Sequence, residues 1–372
     1  MFQPNFRVTG SIANALVAIE ADRQVVTLLP LTAPMLDSLR RTARLLSTHL
    51  STQIEGNQLS AVQVAAVVRG EGNFPGMERD EAEIRNHFAA AEYVEVLGQQ
   101  GLGFTESELR NIHGLVMTGR ATPTPYRGGQ NVIREASSGR VVYMPPEAKD
   151  VPGLVAELVE WAASAFTTTA WPPPILAALV HYQFATIHPY FDGNGRTARL
   201  LTNLVLHRSG YGLNGIYSLE EYYSANLDGY YRGLAVGPSH NYYLGRVEGE
   251  VTAFIEYFCV GMANALHKVR RRAETAPRSP VMGTADALRT LTPQQRRSFG
   301  LFLRARHVTA ADVAAYFDLS PRRGSALCAR WVAQGFLIVH DPSTKGRSYR
   351  LADSWEALVV AQAEAQREGD GG

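Results

Sequence analysis

Apolar residues recur three to five positions apart through most of this chain, and that spacing is helical. Leu36, Leu39, Leu45, Leu46, Leu50 and Ile54 mark one stretch over 31–54, one helix or two in tandem, which Gly56-Asn57 stops. Residues 78–98 read as another helix, with Glu78, Asp80, Glu81 and Glu83 gathered where the helix dipole favours acids. Thr105 followed by Glu108 is a capping box that opens a third. Further helices are expected over 151–165, 174–187, about 196–208, about 219–234 and about 247–272. One stretch breaks the pattern. Residues 123–146, PTPYRGGQNVIREASSGRVVYMPP, hold two short β-prone runs, NVI and RVVYM, around the turn signal Ser137-Ser138-Gly139. The fold class is therefore mainly α with one β-hairpin.

A polar stretch, VRRRAETAPRSPVMG, reads as a linker, and a separate pattern follows it over 286–352. PQQRRSFGLFLRARH, TAADVAAYFDL and SPRRGSALCARWVAQGF are three helices, and LIVH and SYRLA are two short strands. That is the outline of a winged helix-turn-helix. The division is an N-terminal helical region (1–104), a core (105–275), a linker (276–285) and a winged helix with its tail (286–372).

Charge gives no direction for a partner: 36 Lys and Arg against 35 Asp and Glu leave +1 over 372 residues. Cys259 and Cys328 sit in apolar helical runs, with no disulfide framework or CxxC pair. The N-terminus MFQPNFRVTG lacks a signal-peptide pattern, and no run of about 18 apolar residues exists. A cytoplasmic protein with no membrane partner is the expectation.

The densest chemistry lies at 188–199, HPYFDGNGRTAR. Pro189 ends the helix before it, and RTARLLTNLVLHR begins the next. FDGNG is thus a tight connection that brings its backbone to a helix N-terminus, where glycines permit close approach and N–H groups form an anion nest. Arg196 and Arg199, three apart, are unfavourable at a helix N-terminus unless an anion is present, which suggests a polyphosphate. Asp192 offers a hard oxygen ligand of the kind Mg²⁺ shares with phosphates. His188, on the other lip, has the pKa of a general base. Together these make a phosphoryl- or nucleotidyl-transfer site.

HPYFDGNGRTAR resembles the signature of the Fic (filamentation induced by cAMP) family, HPFxxGNGRxxR, with Tyr190 in place of the usual Phe. The intact GNG and second arginine resemble members that transfer a nucleotide monophosphate, rather than Doc-like proteins that phosphorylate. The resemblance implies a Fic-type helical bundle and AMP transfer from ATP to a Ser, Thr or Tyr hydroxyl. It makes His188 the base and Asp192 the Mg²⁺ ligand. Gly193, Asn194 and Gly195 would hold the α- and β-phosphates, Arg196 would contact phosphate, and Arg199 would hold the γ-phosphate.

Three other stretches enter the same picture. The hairpin at 131–144 resembles the family's flap, with Val132 and Ile133 aligning a target strand by β-augmentation. LSTQIEGNQLS places Ser51 and Glu55 on one helix face, with Glu55 unfavourably close to a helix C-terminus, so that a guanidinium partner is expected. The stretch matches the family's inhibitory motif [S/T]xxxE[G/N], which implies that Glu55 pairs with Arg199 and keeps it off the γ-phosphate. Tyr222, Tyr223, Tyr230 and Tyr231 form a stripe that suits core packing, while the family places adenine near such a pair. Tyr231 and Gln183 are the candidates for that pocket, and His181 and His207 read as structural.

Arg322, Arg323 and Arg330 on the third C-terminal helix, with Lys345 and Arg347 in the wing, suit DNA phosphates. The expected partners are ATP, a hydroxyl-bearing target protein (the chain itself included), DNA, and a second copy in a homodimer. Two alternatives stay open: a transcriptional regulator with a Fic-like core, and a Fic enzyme that uses another nucleotide or removes AMP.

Overall fold

A computed structural model describes residues 2–275, 291–352 and Trp355, except 29–32, 102–103, 136–137, 169, 247, 303–304, 306 and 344–345. The chain divides into two compact units, Met1–Glu274 and Thr275–Gly372. The expected linker at 276–285, Ser137 of the hairpin turn and Lys345 of the wing lie outside the described residues.

The first unit is helical. Its first three helices are α1 (Gly10–Thr27), α2 (Ala33–Ile54) and α3 (Ala61–Val68). The stretch over 31–54 is thus one helix rather than two in its described part. Neither α1 nor α3 was legible as a helix. Ser60 and Gln63 make a capping box that starts α3 after the Gly56 turn. Next come α4 (Glu78–Gln99), with acids in its first turn, and α5 (Glu106–Thr118), opened by the Thr105–Glu108 capping box. Strands β1 (Ile133–Arg134) and β2 (Val141–Tyr143) pair antiparallel, with Ile133 opposite Tyr143.

Helices α6 (Val151–Thr168) and α7 (Pro173–Ile187) follow. α7 is apolar on every side and buried along nearly its whole length, as the central helix of a bundle must be. α8 (Asn194–Arg208) packs on it and begins two residues earlier than the sequence suggested, because Gly193 takes the left-handed cap position. The expected helix over 219–234 is two short ones, α9 (Glu220–Ala225) and α10 (Leu227–Leu234), broken at Asn226. α11 (Thr252–Thr275) completes the unit.

The second unit contains α12 (Pro293–Phe302), β3 (Val308–Thr309), α13 (Ala310–Tyr316), α14 (Pro321–Ala333), β4 (Leu337–Asp341) and β5 (Ser348–Leu351). Its sheet has three strands in the order β3-β5-β4, one more than expected. β3 is two residues long and too short for periodicity to reveal. Trp331, Phe336 and Val313 centre its core.

Candidate active site

The site is built where α7 hands over to α8. Helix α7 ends at Ile187, and His188 turns into left-handed backbone (φ 51°, ψ 59°) before Pro189. The His188 side chain is half-buried, with Nδ1 3.4 Å from the Ala185 carbonyl. A carbonyl only accepts, so Nδ1 carries the proton and Nε2 keeps a free lone pair. Burial pushes the His188 pKa down to about 4, which keeps the ring neutral and ready to take a proton.

Arg127 and His113, which sequence reasoning missed, hold this turn together with Tyr190. Arg127 is buried and donates Nε to the His188 carbonyl (2.9 Å), Nη1 to Gly129 O (3.0 Å) and Nη2 to Pro146 O (2.5 Å). One guanidinium thereby ties the base's backbone to both ends of the hairpin, and burial pulls its pKa down. Tyr190, the variant position of the motif, is buried and stacks on His113 at 3.4 Å with planes 6° apart. His113 Nε2 lies 2.9 Å from the Asp192 carbonyl and Nδ1 2.7 Å from Thr124 Oγ1. The aromatic thus anchors the loop in the core, as either Phe or Tyr can. The YRGGQ run was the only sequence signal for Arg127, and the distant His113 left none.

The loop closes on itself through Asn194. Its side chain accepts from Tyr190 N (3.0 Å) and donates to Tyr190 O (2.8 Å). Gly193 is strictly small: a Cβ there would lie 2.8 Å from Met117 Sδ and 3.1 Å from His113 Nε2. The first N–H groups of α8 have no intrahelical acceptor and face outward as an anion site.

That site is filled from within the chain. Arg199, buried at 1% exposure, donates Nη2 to Glu55 Oε1 (2.9 Å), and Nε and Nη2 to Ser51 Oγ and Ser51 O (both 2.8 Å). A Cβ on Gly195 would come within 2.2 Å of Glu55 Oε1, so the carboxylate rests directly on the glycine backbone at the head of α8. Burial works against the Arg199 charge, but Glu55 outweighs it and the pKa rises. Ser51 in the last turn of α2 and Glu55 just past its end, four apart, thus reach one guanidinium.

Arg196 takes a different partner. Its guanidinium pairs with Glu83 of α4 and donates Nη2 to Asp192 Oδ1 at 3.2 Å. Arg196, expected at a phosphate, here faces these two acids. Its side chain is 5% exposed, and the two acids beside it offset the lost hydration. Asp192 Oδ1 also accepts from Gly193 N at 2.6 Å, while the Asp192 side chain is 52% exposed. Among the described residues, Oδ2 meets only the exposed Arg79, at 3.9 Å. One open, hard carboxylate oxygen beside an anion nest fits Mg²⁺, which takes one or two carboxylates and completes its shell with phosphates and water.

The remaining candidates scatter. Tyr231 on α10 is half exposed, packs edge-on against Tyr230 at 5.3 Å, and feels the charges of Glu55 and Arg199. Gln183 is buried on α7. Val132 precedes β1 and Ile133 lies within it, both half-buried. His181 bridges Thr202 Oγ1 and the Tyr230 hydroxyl, a packing role.

Residues 103–206 match the Fic/DOC family. That match spans His188, the Gly193–Gly195 turn, Arg196 and Arg199. The chain resembles the protein adenylyltransferase Fic of Drosophila willistoni, at 32% identity over 162 residues, 43% of this chain and 31% of that protein. The Drosophila melanogaster counterpart is as similar, with 32% of its length covered. The chain therefore spans about a third of the length of these curated relatives. Over nearly its whole length it resembles the crystal structure of a Fic family protein from Desulfovibrio desulfuricans G20, with 25% identity, 95% of this chain and 99% of that one covered, and a TM-score of 0.63. A Fic domain containing signaling protein from Bacteroides thetaiotaomicron shares the fold at TM-score 0.60, over 70% of this chain and 97% of that one. Among the described residues no helix is long and apolar enough to cross a membrane.

Proposed function

We propose that the chain is an autoinhibited protein adenylyltransferase, which moves AMP from ATP to a Ser, Thr or Tyr hydroxyl. The observation that carries this reading is the seat of Glu55. Its carboxylate lies on Gly195 at the head of α8 and pairs with the buried Arg199. That is where an anion belongs, and it is occupied by an anion on the chain's own helix.

In the active arrangement Glu55 leaves, and the N–H groups of Gly193, Asn194 and Gly195 take the α- and β-phosphates. Arg199 turns to the γ-phosphate. Val132 and Ile133 on the hairpin align the target by main-chain pairing, and Arg127 keeps that hairpin in register with the base. The hydroxyl proton passes to His188 Nε2. The freed oxygen bonds the α-phosphorus, the bond to the bridging oxygen breaks, and pyrophosphate departs with its electron pair. Asp192 Oδ2 would hold Mg²⁺, which neutralises phosphate charge when bound. Tyr231 and Gln183 are the adenine contacts in this reading. The two free, buried cysteines support a cytoplasmic setting.

Incubation with α-labelled ATP, scoring labelled protein, tests the proposal. Weak self-labelling that rises in Glu55→Gly and vanishes in His188→Ala supports it. Labelling by UTP or CTP but not ATP overturns the nucleotide assignment. A second activity is supported by the exposed Arg322, Arg323 and Arg330 on α14, with Arg347 exposed before β5. These suit duplex DNA phosphates, and a salt-dependent shift in duplex anisotropy tests that activity.

A further inference from the structure

Arg196 poses an electrostatic problem for the cation site. A guanidinium hydrogen-bonded to Asp192 Oδ1 at 3.2 Å cancels the negative charge that Oδ2 has to offer a metal. A neutral pair is a poor ligand for a divalent cation. The structure contains a second acid that removes the problem. Glu83 Oε1 pairs with Arg196 Nη1, and Glu83 is itself only 15% exposed. Its other oxygen is also fixed, since Oε2 accepts from Asn57 Nδ2 at 2.9 Å. Asn57 is buried and donates the same amide to Asp80 O at 3.1 Å, so it cannot swing away freely. The Glu83–Arg196–Asp192 group therefore carries a formal net charge of −1, with only the exposed Arg79, 3.9 Å from Oδ2, beside it among the described residues.

We propose that Glu83 is a positioning residue for the cation site. It neutralises Arg196, so that Arg196 fixes Asp192 Oδ1 without silencing Oδ2. Asn57, two residues beyond Glu55, fixes Glu83 in turn. This inference rests on the reading that Asp192 binds Mg²⁺ together with ATP.

The test measures nucleotide binding rather than turnover. The full chain carrying Glu55→Gly and His188→Ala, which exposes the nest and blocks transfer, is titrated with ATP calorimetrically, in excess Mg²⁺ and in EDTA. The ratio of the two affinities reports the cation's contribution. The expected result is a ratio well above ten in this background, a drop of tenfold or more on adding Glu83→Gln, and recovery to within threefold of the background on adding Arg196→Gln as well. Recovery is the outcome that a merely structural role for Glu83 does not give. A ratio unchanged in Glu83→Gln overturns the inference alone, as does a double variant that stays low. A background with no Mg²⁺ preference, or one that does not bind ATP, overturns the nucleotide reading and the inference together. If Glu83→Gln does not melt cooperatively, the double variant decides: a background-like ratio supports the inference and a lost ratio overturns it.

Discussion

The arginines of this chain live in two opposite settings. In the first unit Arg196 and Arg199 are buried to within a few per cent, each against its own carboxylate, Glu83 and Glu55. In the second unit Arg322, Arg323 and Arg330 of α14 stand exposed in water. Arg196 and Arg199 have lost their hydration and each holds an acid in its place, so an anion that displaces that acid has to offer comparable compensation. An exposed cation binds whatever anionic surface arrives, weakly and with strong dependence on salt. In the proposed reading the first setting is a selective site with a built-in competitor, and the second a general electrostatic patch.

The strongest way to break the comparison is at the base. His188→Ala is expected to cut protein labelling by about 10²–10⁴-fold, the usual worth of a positioned general base. ATP affinity in the Glu55→Gly background should stay within a few-fold, because the nest and Arg199 are untouched. A loss of binding equal to the loss of rate defeats the assignment.

Removing the competitor should have the next largest effect. Glu55→Gly is expected to raise labelling by about ten- to hundredfold, the ordinary range of a coupling between an internal ligand and a substrate. A smaller change with a sharper meaning is Gly195→Ala. A new methyl would strike Glu55 Oε1, so the thermal midpoint should fall, equivalent to about 1–3 kcal/mol of overpacking. In the Glu55→Gly background the same substitution should become neutral or stabilising by up to about 1 kcal/mol, because helical alanine then costs less than glycine. The same sign in both backgrounds would mean that Glu55 does not rest there.

Two buried histidines add a pH arm. Burial pushes His87 and His181 down to about 3, so the folded chain stays unprotonated where the unfolded chain, titrating near 6.5, takes up protons. Stability therefore falls as pH drops below about 6.5, by up to about 1.4 kcal/mol per pH unit for each histidine, until the folded values are reached. Thermal midpoints between pH 7.5 and pH 5 measure this, and a flat profile in that window contradicts it. The smallest effect belongs to the exposed arginines. Arg322→Ala or Arg323→Ala should lower the log–log salt slope of duplex binding by about one each and leave labelling unchanged. A slope of zero in the unaltered chain removes DNA from the account.

Much of the site was readable because its signals are local. Pro189 stops α7, Gly193 permits the left-handed cap, and Ser51 and Glu55 share a face four residues apart, so adjacent residues suffice to place them. The long apolar helices were legible for the same reason. What escaped was α1, whose 18 residues carry little amphipathic periodicity, and otherwise features that are short or distant. α3 has eight residues and β3 two, and Glu83, His113 and Arg127 act from other elements on residues far along the chain. Arg196 and Arg199 show the boundary most clearly. Their spacing put both at the head of one helix, and by itself suggested one shared anion.

The sequence by itself determined that a base, a hard ligand and an anion nest would meet between two helices, because helix periodicity, proline and glycine act within a few residues. Only the tertiary structure decided which acid each arginine holds. Burial strips both cations of water, and which carboxylate replaces that water depends on how α2 and α4 pack against α8.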